Sequence, residues 1–231
     1  MKRCYLIRHG QTAWNEENRI QGRSDQPLNA LGRRQAQCLA TRFASHRLQG
    51  IFTSHLVRSH ATAEAIAVPH APPAPHAGRA GQAGAAGNGH GISPVVHRDL
   101  AEMHLGAWEG LTPQEVDAKF GSAYQQWRQD PSSVRIPGAE PVDVFHGRVR
   151  RAFEELARGL GDGEYAVVSH GGVIASVVAD VLGADYDQLL RRLRLDNAGV
   201  TAIELAPIPH ILWVNSTAHL DPAPLVPSTW I

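Results

Sequence analysis

Short apolar runs and helical spacings take turns along this chain, and the changes between them predict its elements. Residues 3–7 (RCYLI) form a brief run that stops at Arg8-His9-Gly10, the pattern of a buried strand closed by a glycine turn. Over 29–44 the period becomes helical, with Ala36, Leu39, Ala40 and Phe43 on one face and Asn29 as the N-cap. Residues 50–53 (GIFT) predict a second strand, 56–67 a helix and 94–97 a strand-like stretch. Thr112-Pro113-Gln114-Glu115 is a capping box with proline at the first helical position, so a helix begins there. Val142, Phe145, Val149, Phe153, Leu156 and Leu160 keep a three-to-four spacing that predicts a helix over 141–160. Residues 164–169 (EYAVVS) repeat the buried-strand pattern and end in His170-Gly171-Gly172. A helix of small residues follows, then late strands at 199–205 and 211–215. Strands separated by helices predict an α/β fold with a largely parallel sheet.

One segment breaks the pattern. Residues 69–94 carry Pro69, Pro72, Pro73 and Pro75, then a glycine at every second or third position from Gly78 to Gly91, with almost no large apolar side chain. Such a stretch does not bury enough surface to offset its ordering entropy, which predicts a flexible surface insertion within a single domain spanning 1–231.

Composition narrows the function classes. Lys+Arg and Asp+Glu both number 22, so no basic excess draws the chain to nucleic acid or an anionic membrane. The apolar run after the amino terminus is too short for a signal-peptide core, and no stretch reaches the length of a membrane span. A cytoplasmic protein is expected. Cys4 and Cys38 have no CxxC or zinc-ligand spacing, which predicts two buried free thiols.

The chemistry lies where two strands end alike, at Arg8-His9-Gly10 and at His170-Gly171. In open α/β sheets the ligand crevice lies beyond the carboxyl ends of the strands, so both histidines aim into it. Guanidinium forks bind phosphate oxygens bidentately and keep their charge. Arg8 adjoins one histidine, and Arg58 follows the GIFT strand; a solvated helix arginine is the other reading of Arg58.

The segment from Leu6 to Asn15, with Arg8-His9-Gly10, Thr12 and Asn15 in place, resembles the RHG-x-T-x-x-N signature of the histidine phosphatase superfamily, branch 1, the phosphoglycerate-mutase-like group. The resemblance continues through Arg19–Leu28, Ser54–Arg58, Thr62-Ala63-Glu64, Leu100–Leu111, Val168–Gly172 and Asn215–Leu220, covering nearly the whole chain outside 69–94. It implies a three-layer α/β/α sandwich with a mostly parallel central sheet and a small helical cap over about 107–145. His9 would be the nucleophile. Arg8, Arg58 and His170 would bind and stabilise the equatorial oxygens, with Asn15 donating a further hydrogen bond. Glu102 would protonate the leaving alkoxide and then deprotonate water, which needs a carboxyl whose pKa is raised. Gln21, Gly22 and Gly171 would line the substrate side. No metal and no cofactor is implied, since arginines and histidines supply the positive charge.

Other residues carry plainer readings. His70, His76 and His90 lie in the insertion, and His46, His55, His60 and His146 fit helix surfaces or termini. Glu109 competes with Glu102, but the family pattern puts its acid at the start of E-x-x-x-G. Ser54 reads as a phosphate contact or a turn cap, and Arg148 as structural. Gln11 stands where many relatives carry Glu, His104 replaces a common aspartate, and Pro137–Pro141 follow the family's G-G-E-S pattern only loosely. The sequence over 111–141 resembles the shorter cap of the family's phosphatase members, which implies a phosphatase of small phosphorylated metabolites, with a cofactor-dependent phosphoglycerate mutase as the alternative and a non-catalytic phosphate binder behind it. Relatives of this kind are monomers or homodimers.

Overall fold

The computed structural model describes residues 1–68 and 92–220. In chain order its elements are β1 (Lys2–Arg8), α1 (Ala13–Glu16), α2 (Ala30–Phe43), β2 (Leu48–Thr53), α3 (Val57–Ala67) and β3 (Val95–Val96). There follow α4 (Pro113–Phe120), α5 (Ala123–Gln129), α6 (Val142–Gly159), β4 (Gly163–Ser169), α7 (Gly171–Leu182), α8 (Tyr186–Arg192), β5 (Val200–Glu204) and β6 (His210–Ser216). The strands form one sheet in the order β3-β2-β4-β1-β5-β6. Neighbours from β3 to β1 run parallel, while β5 and β6 join antiparallel at the other side. The mostly parallel α/β sheet expected from the sequence is the fold observed.

Two central strands explain why the apolar runs are continuous. In β1 and β4 the last five residues of each are buried, because helices cover both faces of the sheet. Leu6 and Val167 face one core with α6 and α7; Tyr5, Ile7, Ala166 and Val168 face the other with α2 and α3. Each such side chain taken fully from water contributes roughly 1.5–3 kcal/mol. The helix ends follow the sequence signals: the Asn29 side chain accepts from Gly32 N–H, and Thr112 and Glu115 form the reciprocal capping box of α4.

The cap is built from α4, α5 and the loops around them. Trp108, Tyr124 and Trp127 pack ring against ring with centroids 6.1–6.4 Å apart, which fixes α5 against the segment carrying Trp108 without a side-chain N-cap. One expectation fails: Cys4 is buried in the core, where desolvation pushes its thiol up to about 12, but Cys38 is only half-buried. Cys38 sits beside the stripe of Ala36, Leu39 and Ala40, at the margin of the face α2 buries. Residues 69–91, with His70, His76 and His90, lie outside the described residues. Among those described, no helix is long and apolar enough to cross a membrane.

Candidate active site

Backbone pairing sets His9 in place before any side chain does. Its N–H donates to the carbonyl of Ser169 at 2.9 Å, and its own carbonyl accepts from Ala198 N–H at 3.2 Å and Asn197 Nδ2 at 3.1 Å. The next residue must be glycine, since a Cβ on Gly10 would stand 2.5 Å from the Gly32 carbonyl oxygen where α2 begins. The His9 ring donates from Nδ1 to the Gly10 carbonyl at 2.7 Å. A carbonyl only accepts, so the proton is on Nδ1 and the lone pair is on Nε2. Burial first, then Arg58 and Arg8, holds His9 well below the usual histidine range, and the imidazole is neutral at physiological pH.

Arg58 supplies the charge beside that lone pair. Its Nε donates to His9 Nε2 at 3.2 Å, while its two terminal nitrogens donate to Ser24 O at 2.8 Å and Gly22 O at 2.7 Å. The guanidinium is 1% exposed, and burial lowers it to about 10, so it stays charged near neutrality. Gly22 thus reaches the site by orienting Arg58. Its φ of +51° and a virtual Cβ 2.2 Å from Glu109 Oε1 leave room for glycine alone. Arg8, also buried, donates to the Leu195 carbonyl.

His170 lies at the end of β4 with its ring centroid 5.2 Å from that of His9. Ser54 Oγ is 2.7 Å from His170 Nε2, and with the hydroxyl donating, the ring proton sits on Nδ1. That buried Nδ1 has no hydrogen-bond partner among the described residues. Gly171 opens α7, whose first turn presents N–H groups and the positive end of the helix dipole.

Glu102 is 5% exposed. Its Oε1 accepts from Met103 N–H at 2.9 Å and its Oε2 from Gly172 N–H at 3.1 Å. Burial raises its pKa against the pull of these two N–H groups, Arg58 and Arg8. Glu109, the rival acid, is spent on structure: it accepts from Arg23 N–H, Leu105 N–H and the Ser24 hydroxyl. Asn15 turns its Oδ1 toward Thr12 and Asn197, and Gln21 Oε1 takes the Thr12 hydroxyl at 3.0 Å. The sequence offered no signal for Asn197, a loop residue far from both histidine motifs, nor for the pairing of Ser54 with His170. Among the described residues no group of three or more His, Cys, Asp or Glu side chains is arranged to hold a metal ion.

Two neutral imidazoles, two guanidiniums and a buried carboxyl at the carboxyl end of a parallel sheet are the equipment of a phosphoryl-transfer enzyme. The family model for the histidine phosphatase superfamily (branch 1) matches residues 4–78 and 74–209, and the chain belongs to that family. It is 31% identical to the probable phosphoglycerate mutase GpmB of Serratia proteamaculans, with 96% of each chain covered. Among solved structures it resembles Bacillus stearothermophilus YhfR, with a TM-score of 0.80 and 27% identity over 95% of this chain and 99% of that one. A mycobacterial glucosyl-3-phosphoglycerate phosphatase in complex with VO3 matches with a TM-score of 0.76 and 27% identity, covering 94% and 100%.

Proposed function

We propose that the protein is a metal-independent phosphatase that hydrolyses small phosphate monoesters through a phosphohistidine on His9. The observation that carries this reading is the tautomer of His9: a neutral ring whose Nε2 lone pair is directed at the guanidinium that would hold the phosphate. In the first step Nε2 bonds to phosphorus, the ester P–O bond breaks and the Glu102 carboxyl gives its proton to the leaving oxygen. In the second step Glu102 takes a proton from water, whose oxygen bonds to phosphorus as the P–N bond breaks. Arg8, Arg58, the His170 Nδ1–H and Asn15 stabilise charge on the three equatorial oxygens in both steps. Gln21 and the amino end of α7 at Gly171 border the substrate.

A mutase is the second reading, favoured by the name of the Serratia relative. It needs the same first step but keeps the phosphoryl group on the enzyme until a second alcohol accepts it. Release of inorganic phosphate from p-nitrophenyl phosphate in excess EDTA, by the protein and by its His9→Ala form, tests the proposal. Turnover that survives EDTA and vanishes in the variant supports it. No release together with interconversion of phosphoglycerates supports the mutase.

A further inference from the structure

We infer that Arg23, Glu140 and Arg148 form a positioning cluster that clamps the backbone of Glu102 and so holds its carboxyl where the leaving group departs. The inference rests on the phosphatase reading, because it concerns the acid of that reaction. Arg148 lies on α6 and Arg23 on the loop after α1, and both reach the Glu102 carbonyl while Glu140, on the loop that leaves the cap, holds the two guanidiniums together.

The geometry is fully engaged. Arg148 grips Glu140 with Nε to Oε1 at 2.7 Å and Nη2 to Oε2 at 2.9 Å, the bidentate fork that lysine does not reproduce. The same Nη2 donates to the Glu102 carbonyl at 3.0 Å, and Nη1 donates to the Asp99 carbonyl at 2.7 Å. Arg23 approaches from the opposite partner: its Nη2 donates to Glu140 Oε2 at 3.1 Å and its Nε to the Glu102 carbonyl at 3.1 Å. The Glu102 main chain therefore receives two charged hydrogen bonds, both steered by one carboxylate.

The segments flanking the acid are tied to the same loop. Glu140 N–H donates to His104 O at 2.9 Å, Ala107 N–H donates to Pro137 O at 2.9 Å, and His104 Nδ1 donates to Gly138 O at 2.8 Å. On the other side the Ser169 hydroxyl donates to Leu100 O at 2.7 Å. The side chains of Arg148 and Glu140 are 10% and 12% exposed. Charges so deeply placed carry a desolvation cost that a purely packing role would not require. Arg148 and Arg23 each place one donor on the Glu102 carbonyl, next to the Cα that carries the acid's side chain, and that convergence is the feature a positioning role explains.

The test exploits leaving-group chemistry. A nitrophenolate leaves without needing a proton, whereas an alkoxide needs the acid. A displaced Glu102 therefore slows alkyl esters and spares aryl ones. Glu140→Gln keeps the shape and one acceptor but removes the charge that gathers both arginines. For this variant kcat/KM on β-glycerophosphate should fall roughly tenfold or more, while that on p-nitrophenyl phosphate stays within about threefold. Arg23→Gln, at a side chain 37% exposed, provides the same comparison if the first variant folds poorly. A ratio of the two kcat/KM values unchanged from wild type in both variants overturns the inference alone. A wild-type protein that turns over neither ester removes the phosphatase reading, and the inference falls with it.

Discussion

Replacing Arg58 with methionine should separate catalysis from stability. The guanidinium is 1% exposed, and its fall from 12.5 to about 10 is caused first by desolvation. At ~1.4 kcal/mol for each pKa step, holding this charge in the fold costs about 3 kcal/mol. Below pH 10 both folded and unfolded Arg58 are charged, so the cost is fully present at neutrality. Methionine, unbranched and uncharged though shorter, removes it. Against that gain, the carbonyls of Gly22 and Ser24 lose their donors at 2.7 and 2.8 Å, a penalty of about 1–3 kcal/mol each. The net runs from about 1 kcal/mol in favour of the variant to about 3 kcal/mol against it, and at roughly 2–4 °C per kcal/mol the melting temperature should rise by no more than about 4 °C or fall by no more than about 12 °C. Activity has no such compensation. Losing one fork of the phosphate cradle should cut kcat/KM on p-nitrophenyl phosphate by about 100- to 1000-fold, as deletion of a single transition-state donor does elsewhere. Calorimetry and steady-state kinetics on the same preparation decide the matter. Turnover within about threefold of wild type would refute the assigned role. A drop of more than about 15 °C with turnover lost would refute the balance of energies.

Further outcomes follow from the same site. Because burial raises the pKa of Glu102, the alkaline limb of kcat/KM for an alkyl phosphate should lie above the ordinary carboxylate range and vanish in Glu102→Gln, as a pH–rate series would read. Buried neutral His9 binds fewer protons folded than unfolded, so its contribution to stability is present above pH 6.5 and lost as pH falls through its depressed folded value. Chemical denaturation between pH 6.5 and 5 should therefore show a slope shallower in His9→Gln than in wild type, by an amount that grows toward a limit of about 1.4 kcal/mol per pH unit; equal slopes would contradict the assignment. Gly10→Ala places a methyl 2.5 Å from a backbone oxygen and should destabilise by about 1–3 kcal/mol while lowering kcat, measured by melting and turnover together.

The sequence carried the elements whose burial leaves a pattern. Continuous apolar runs marked β1 and β4 because both faces are covered, and the caps at Asn29 and Thr112 marked the starts of α2 and α4. Helices α1, α5 and α8 span four, seven and seven residues, too few for a hydrophobic period to emerge. The antiparallel direction of β5 and β6 is a tertiary property that local apolarity does not encode. In the site, Arg8, His9 and His170 stood out because strand ends aim residues at the crevice. Glu102 was legible only through the family resemblance, since nothing in its neighbourhood distinguishes it from Glu109. The bond of Ser54 to His170 spans 116 positions, and the grip of Arg148 on the Glu102 carbonyl spans 46. Pairings so distant appear only when the sheet and α6 bring them together.

The most direct test of the central claim is to quench the protein with base during turnover of p-nitrophenyl phosphate and locate the phosphoryl group by mass spectrometry of its peptides. A base-stable, acid-labile phosphoryl group on the peptide containing His9, absent from His9→Ala, is the predicted result. Turnover by wild type with no phosphoryl group on that peptide, or with undiminished rate in His9→Ala, would contradict it.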